Sequence, residues 1–293
     1  MLEIQEQYRD LPIDVNSNVP SGKTNLLERY YTIGDYESLP SVTTVLDMIF
    51  KPPIVEFKMD RALDYVQAEL KKTPWNKMHD RIWLPWMRYP KSKRAQKIKR
   101  GPVGSWEKVL AYYRKKAKLH PDLVRDEAGA IGTEIHEAIS AELQGELWSS
   151  ENPKVQTAMQ SYRMWREDST IEPLWSEQTV WSLEYGYAGS ADLVGMDHGR
   201  LVVLDWKTGK GVYNEAGLQV AAYAHAIEEL TGQKIAEGRV IHPDKATPGW
   251  SEHVVKDLNG AFNGFLSALT IWKLWHAEVF QPKDKDAFTP NDS

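Results

Sequence analysis

The sequence contains no cysteine among its 293 residues. This absence excludes disulfides, zinc–thiolate sites, iron–sulfur clusters and a cysteine nucleophile. No apolar run approaches the roughly 18 residues that a membrane-spanning helix needs, so we expect no membrane association. The first six residues carry early acids and no basic segment, which predicts neither a signal peptide nor a transit peptide. We therefore expect a cytoplasmic protein.

Net positive charge is concentrated in one segment. Residues 81–118 contain thirteen lysines or arginines and a single acid, Glu107, so this segment carries +12 while the rest of the chain carries −17. Such a segment is either a solvated basic face or a surface that binds nucleic-acid phosphates. Interleaved tryptophans and tyrosines favour the second interpretation, because aromatic rings stack on unpaired bases. The candidate DNA-binding residues are Lys93, Arg94, Lys97, Arg100, Trp106, Arg114, Lys115 and Lys116.

Hydrophobic periodicity predicts an α/β protein. The first thirty-odd residues are expected to be irregular, and Ser41 is the expected N-cap of a short helix. The period changes from helical to strand-like near Ser176 and returns to helical afterwards, which is typical of a sheet with helices on its faces. The predicted helices are 54–70, 106–119, 127–143, 152–168, 216–230 and 258–279, and the predicted strands are 177–183, 187–196, 201–207 and 239–242.

The stretch from Gly189 to Lys207 predicts a β-hairpin with chemistry at its open end. A two-residue loop at His198-Gly199 suits a hairpin turn. Counting outward from that loop pairs Asp192 with Asp205, a pairing that a three-residue loop would break. Directly opposed like charges destabilise a sheet. We therefore expect a divalent cation between the two aspartates, because hard oxygen ligands suit Mg²⁺ or Mn²⁺.

Further residues near the hairpin, in the following helix and upstream strengthen this hypothesis. The two-residue period of a strand puts Lys207 on the face of Asp205, where an ammonium could act on an attacking water or on phosphate charge, and turns Trp206 into the packing. Gln219 and Tyr223 share one face of the following helix. His136 lies beside an isoleucine stripe, where it is either a packed or solvated residue or a metal ligand.

These motifs together resemble the RecB-type branch of the PD-(D/E)XK nucleases, which includes the mitochondrial genome maintenance exonucleases and phage-encoded relatives. Gly189 to Asp192 is similar to the family's Gly-x-x-Asp, Asp205 to Lys207 to its Asp-x-Lys, and Gln219 to Tyr223 to its Gln-x-x-x-Tyr. His136, Glu177 and the segment 40–46 also have counterparts in the family. The resemblance covers roughly residues 38–280, with the motifs in the family's order.

The resemblance implies a mixed sheet flanked by helices and a Mg²⁺- or Mn²⁺-dependent DNA exonuclease acting in recombination, repair or replication. It implies DNA with single-stranded or free ends as substrate, and an annealing or replication protein as a partner. The implied metal ligands are His136, Asp192, Asp205 and the Trp206 carbonyl; Lys207 would be the catalytic lysine, and Glu177, Gln219 and Tyr223 would orient the site or the DNA. Several RecB-like nucleases hold an iron–sulfur cluster on cysteines, which this chain lacks.

We expect a mostly helical, basic region at 1–125 that binds DNA and roofs the site, a nuclease core at 126–282 and a flexible tail at 283–293. Two alternatives remain: an endonuclease of the same fold, and a catalytically inactive DNA-binding module. The intact acidic and lysine residues argue against the inactive module. A nucleotide-binding loop at residues 208–211 is disfavoured, because the segment lacks the spacing of a phosphate-binding loop.

Overall fold

A computed structural model describes residues 2–20, 27–49, 58–65, 68 and 103–277. The chain divides into two compact units. One consists of Met1–Phe50 together with Ile131–Ser293, and the other of Lys51–Ala130. Residues 1–50 thus belong to the same unit as residues 131–293, and the predicted domain bounds at 125 and 282 stay a prediction. The basic residues 69–102 and the expected tail at 283–293 lie outside the described residues.

The larger unit is built on a mixed five-stranded sheet with the order β4-β5-β6-β7-β8. Neighbouring strands are antiparallel except for β6 and β7, which are parallel and are joined through a helix. The strands are β4 (Glu172–Ser182), β5 (Tyr187–Asp197), β6 (Arg200–Trp206), β7 (Glu237–Pro243) and β8 (Trp250–Val254). The predicted α/β class is confirmed, whereas β8 was not predicted.

The hairpin of β5 and β6 has the predicted two-residue loop. His198 and Gly199 both adopt left-handed backbone conformations, with φ of 47° and 77°. This is the requirement of a type I′ turn, whose twist matches that of the flanking strands. The ladder then runs from Asp197 opposite Arg200 to Leu193 opposite Leu204. The predicted register is therefore confirmed.

Helices cover both faces of this sheet. The described helices are α1 (Glu6–Arg9), α2 (Val42–Leu46), α3 (Val103–Gln144), α4 (Pro153–Asp168), α5 (Asn214–Thr231) and α6 (Leu258–His276). One core packs α2, α5 and α6 against the sheet, and a second core packs the end of α3 and α4 against the other side. Ile131, Ile135 and Ile139 form the predicted stripe on α3 and are buried in the second core. No helix within the described ranges is both long and apolar enough to cross a membrane.

Helix boundaries differ from the prediction chiefly around α3. The two helices predicted at 106–119 and 127–143 form one helix, Val103–Gln144. A proline removes a backbone donor and normally ends or kinks a helix, but α3 continues through Pro121. Residues 58–65 are helical, within the helix predicted at 54–70. The amide of Thr44 donates to the Ser41 side chain at 3.0 Å, so the predicted N-cap of α2 is confirmed.

The sequence analysis expected an irregular N-terminal segment, but the segment is regular. It forms a three-stranded antiparallel sheet of β1 (Ile13–Pro20), β2 (Leu27–Ile33) and β3 (Tyr36–Pro40). The prediction was wrong although Ile13, Val15 and Val19 alternate with polar residues, because the alternation is short and the segment is otherwise polar; Ile13 and Val15 are exposed. Just after β3, Ser41 forms a parallel bridge with Ala188 of β5. This bridge joins the N-terminal sheet to the strand that carries Asp192.

Candidate active site

Asp192 and Asp205 lie side by side where β5 and β6 separate. They are one step beyond the pair Leu193 and Leu204, which is the last rung of the ladder on this side. The Trp206 amide donates to Asp192 Oδ2 at 2.7 Å, so the aspartate side chain accepts the hydrogen bond that a strand carbonyl would otherwise accept. Both aspartates are buried. The predicted juxtaposition of two carboxylates is therefore present.

Asp205 is the more deeply buried of the two carboxylates, with 1 % of its surface exposed. Burial raises its pKa to about 6, and the Asp192 charge acts in the same direction, while Lys207 opposes the rise. Lys207 Nζ lies 2.7 Å from Asp205 Oδ2. The ammonium is therefore the positive partner of that oxygen and partly offsets the cost of burying the carboxylate.

Lys207 is held by a short hydrogen-bonded chain on α5. Its ammonium donates to Gln219 Oε1 at 2.9 Å, and Gln219 Nε2 donates to the Tyr223 hydroxyl at 2.9 Å. Burial lowers the pKa of Lys207, but the neighbouring Asp205 and Asp192 carboxylates raise it by more, so the pKa lies above its ordinary value. The lysine is therefore a fixed, charged donor. The predicted placement of Gln219 and Tyr223 beside it is found.

A second group of ligand atoms surrounds the outer side of Asp192. One ligand atom each from His136, Glu177 and Asp192 lie within 4.8 Å of one another. His136 Nδ1 is 3.5 Å from Asp192 Oδ2. Burial lowers the pKa of His136, whereas Asp192, Asp205 and Glu177 raise it by more, so its pKa lies above the ordinary value. The carboxylate oxygens suit Mg²⁺ or Mn²⁺, whereas an imidazole is a ligand more typical of Zn²⁺, Cu, Fe or Ni.

Glu177 lies beside His136 and Asp192. Rather than opening its strand, it is in the interior of β4, between the pairs Ser176–Leu193 and Gln178–Ala191, and so in register with Asp192. Glu177 is among the exposed residues of β4, but partial loss of solvation around its carboxylate and the Asp192 charge raise its pKa to about 7. Its φ of 51° is left-handed, a conformation that costs a non-glycine residue about 1–3 kcal/mol and that occurs preferentially at functional sites. The register of β4 on β5 would have revealed this position from the sequence.

The remaining predicted residues fall into two groups. The Trp206 indole packs in the second core, with its ring edge-on to Tyr162 and Trp165 at centroid distances of 5.7 and 5.1 Å, as the alternation predicted. Metal binding by the Trp206 carbonyl stays a prediction. Four of the candidate DNA-binding residues lie outside the described residues: Lys93, Arg94, Lys97 and Arg100. Trp106, Arg114, Lys115 and Lys116 lie within α3, where only the backbone is described.

The glycine of the Gly-x-x-Asp motif, Gly189, allows a close approach by another residue of the site. A Cβ at this position would lie 2.6 Å from Tyr223 Cε1 and 3.4 Å from Val42. The tyrosine that ends the hydrogen-bonded chain from Lys207 thus packs directly on the glycine. On the other side of the site, a Cβ at Gly132 of α3 would lie 3.0 Å from the Thr208 hydroxyl. Both glycines allow an element of the site to approach closely.

No curated protein matches the chain. A solved structure titled "Crystal structure of SSO0001" is 13 % identical over 40 % of this chain and 57 % of that chain, with a TM-score of 0.25. The chain thus spans little more than half of that protein, and so loose a similarity has no bearing on fold or function.

The model of the PD-(D/E)XK nuclease superfamily matches residues 108–258. This range contains the His136 helix, the hairpin with Asp192 and Asp205, and Lys207 with its partners on α5. The mixed sheet with flanking helices agrees with the fold of that superfamily. Sequence match, sheet and acidic centre coincide on the same residues, and the chain therefore belongs to the PD-(D/E)XK nuclease superfamily.

Proposed function

We propose that this protein is a metal-dependent DNA exonuclease that hydrolyses phosphodiester bonds and prefers single-stranded ends. The observation that carries the proposal is the pair Asp192 and Asp205 on neighbouring strands, with the Lys207 ammonium 2.7 Å from Asp205. Buried like charges are unfavourable unless a cation is shared between them. The arrangement thus favours a working centre over the alternative of an inactive DNA-binding module.

The residues present fit a divalent cation. Asp205 is buried, and the pKa values of Asp205 and Glu177 are raised by loss of solvation and by the neighbouring Asp192 charge. His136, Asp192 and Asp205 would hold the ion. The structure brings ligand atoms of His136, Glu177 and Asp192 within 4.8 Å of one another, so Glu177 joins the candidate ligands, while Asp205 is not part of that group. When bound, Mg²⁺ or Mn²⁺ supplies Lewis-acid polarisation of the scissile phosphate.

Lys207 would act on the reacting phosphate. Gln219 and Asp205 fix its ammonium from two sides, so it needs no reorganisation during the reaction. As water attacks phosphorus and the bond to the leaving oxygen breaks, negative charge grows on the phosphate oxygens. A prearranged ammonium at that point stabilises the charge. Because the lysine is charged, we favour this role, or orientation of the water, over deprotonation of the water.

The preference for single-stranded ends rests on other features. The segment 81–118 combines basic and aromatic residues, which suits a strand of stacked, unpaired bases. The resemblance to RecB-type and mitochondrial exonucleases points the same way and adds a role in recombination, repair or replication, with an annealing or replication protein as partner. The alternative within the superfamily is an endonuclease.

Closed and linear DNA circles distinguish the two enzymes. The protein is incubated in Mg²⁺ with covalently closed single-stranded circles and with the same circles cut once, and the products are separated on a gel. The Asp205→Asn variant is the control for a contaminating nuclease. Loss of the linear form alone supports the exonuclease. Equal degradation of the closed circles would overturn it in favour of the endonuclease, and no cleavage of either would favour the inactive module.

A further inference from the structure

A surface cleft of about 370 Å³ lies against strand β4. Its volume is in the range of small-ligand sites. The lining residues are Leu2, Glu3, Ile4, Arg9, Trp175 and Gln178. Two of them, Trp175 and Gln178, lie on either side of Glu177 in the strand. The cleft and the candidate metal ligands are therefore neighbours along one strand.

β4 is an edge strand of the five-stranded sheet, so a cleft along its free edge can be lined from both faces of the strand. Trp175 and Gln178 are three residues apart, which in a regular strand turns them to opposite faces, and both line the cleft. Glu177, one of the two residues between them, has a φ of 51° and departs locally from regular strand geometry. The same residue offers its own carboxylate to His136 and Asp192. One strained position thus lies beside both the acidic cluster and the cleft.

The chemistry of the cleft suits a flat, uncharged and polar-edged group. Trp175 is half-buried and packs against the core that α2, α5 and α6 form with the sheet, so its indole is held in place as a stacking surface. Arg9 and Glu3 form an exposed ion pair at 3.7 Å, and their charges cancel. Gln178 adds an amide with both donor and acceptor capacity; its Nε2 donates to the Thr179 carbonyl at 3.1 Å. A lone phosphate would meet the Glu3 carboxylate here and gain little.

We propose that this cleft binds one unpaired DNA base, stacked on the Trp175 indole, next to the phosphate at the acidic cluster. The inference rests on the proposed nuclease function and names part of its substrate. A base in a duplex is already stacked on both sides and paired at its edge. Only an unpaired base can present a free face to an indole and a free edge to Gln178. The cleft therefore selects single strands at the site of cleavage.

The test compares Trp175→Leu with Trp175→Phe in an Asp192→Asn background, which holds the DNA uncleaved. Leucine preserves apolar packing without a stacking face, while phenylalanine keeps the face. The matched control is Trp250→Leu, an exposed tryptophan on β8 at the opposite edge of the sheet. Single-stranded oligonucleotides carry one abasic nucleotide at successive positions, and dissociation constants are measured by anisotropy. Melting temperatures confirm that each variant is folded.

We expect Trp175→Leu to weaken binding about 5- to 100-fold, as loss of one aromatic–base stack does. Trp175→Phe should recover most of the loss, and Trp250→Leu should leave binding unchanged. At one position, an abasic nucleotide should weaken binding to the Trp175 protein but add nothing in Trp175→Leu, which is the coupling that a direct contact requires. Equal abasic penalties in both proteins, or unchanged binding by Trp175→Leu, would overturn the proposal.

Cleavage by the wild-type protein separates this inference from the function on which it rests. If Mg²⁺-dependent cleavage is found but the abasic coupling is absent, the cleft proposal alone fails. If the coupling is found but wild-type protein does not cleave DNA, the cleft binds a base and the proposed catalytic function fails.

Discussion

The carboxylate of Asp192 accepts a hydrogen bond from the main-chain amide of Trp206 at 2.7 Å, which ties the middle of β5 to the end of β6. This contact fixes Asp192 beside Asp205 without neutralising either carboxylate. Glu177 adds a third acid next to Asp192. The site therefore combines a rigid backbone with unbalanced negative charge, which is the condition under which a divalent cation binds well.

The two aspartates should respond differently to neutralisation. In Asp192→Asn the amide oxygen can still accept from Trp206, and repulsion toward Glu177 and Asp205 is removed. We expect its melting temperature in EDTA to equal or exceed that of the wild type. In Asp205→Asn the Lys207 ammonium loses its 2.7 Å partner, and we expect a loss of about 1–3 kcal/mol in the free energy of unfolding.

Thermal unfolding in EDTA and in excess Mn²⁺ measures both effects. Binding to the folded state alone at 100 times the dissociation constant stabilises by about 2.7 kcal/mol, so Mn²⁺ should raise the melting temperature of the wild type but not of Asp192→Asn. An equal Mn²⁺ shift in the two proteins would show that Asp192 is not a ligand.

Lys207→Ala should lower the cleavage rate about 10²- to 10³-fold, because it removes a prearranged charge at the reacting phosphate. DNA affinity should change little, since one ammonium is a small part of the phosphate contacts. The matched control is Lys234→Ala, which removes an exposed lysine paired with Glu228 on the surface. Single-turnover rates and dissociation constants are measured separately. A rate loss of less than threefold would show that Lys207 is a bystander.

Gly189→Ala should disturb both stability and catalysis. The new methyl group would lie 2.6 Å from the Tyr223 ring, and moving that ring disturbs Gln219, which holds Lys207. We expect a loss of about 1–3 kcal/mol in urea unfolding, the usual cost of overpacking, together with a slower cleavage rate. Gly249→Ala is the control, because no atom lies within 4 Å of its added Cβ. If both variants unfold at the same urea concentration as the wild type, the close packing at Gly189 is unimportant.

The basic segment should contribute nonspecific DNA affinity. Reversal of Lys115 and Lys116 to glutamate should weaken binding to all sequences alike and reduce the slope of log K against log salt by about 1.5, given roughly 0.7 per phosphate contact on single strands. Reversal of Lys234 and Lys256, two exposed lysines of the larger unit, has the same effect on net charge. Equal slopes for the two double variants would show that the segment is a solvated face and does not bind DNA.

The centre of the site was predictable from sequence because it depends on local rules. A two-residue loop fixes the register of β5 and β6, and strand alternation then decides the faces of Asp205 and Lys207. The position of Glu177 required a second register, set by a longer connection between β4 and β5. The cleft beside it is lined by residues 2–9 as well as by β4, a long-range contact that local patterns do not reveal.

The parts of the fold that escaped prediction depend on long-range packing. The N-terminal sheet has apolar residues on its exposed side, so hydrophobic period alone does not define its strands. The edge strand β8 is short and largely exposed, which leaves it with a weak hydrophobic pattern. The continuity of α3 through Pro121 contradicts the local tendency of proline to end a helix.

The most direct test of the central claim is the cleavage rate of an end-labelled single-stranded oligonucleotide as Mg²⁺ is titrated, for the wild type and for Asp192→Asn and Asp205→Asn. The account predicts no cleavage by any protein in EDTA, saturable Mg²⁺-dependent cleavage by the wild type, and rates below about one hundredth of that value for both variants, in keeping with the loss of a group that stabilises the transition state. Cleavage by the wild type in EDTA, or an undiminished rate in either variant, would contradict it.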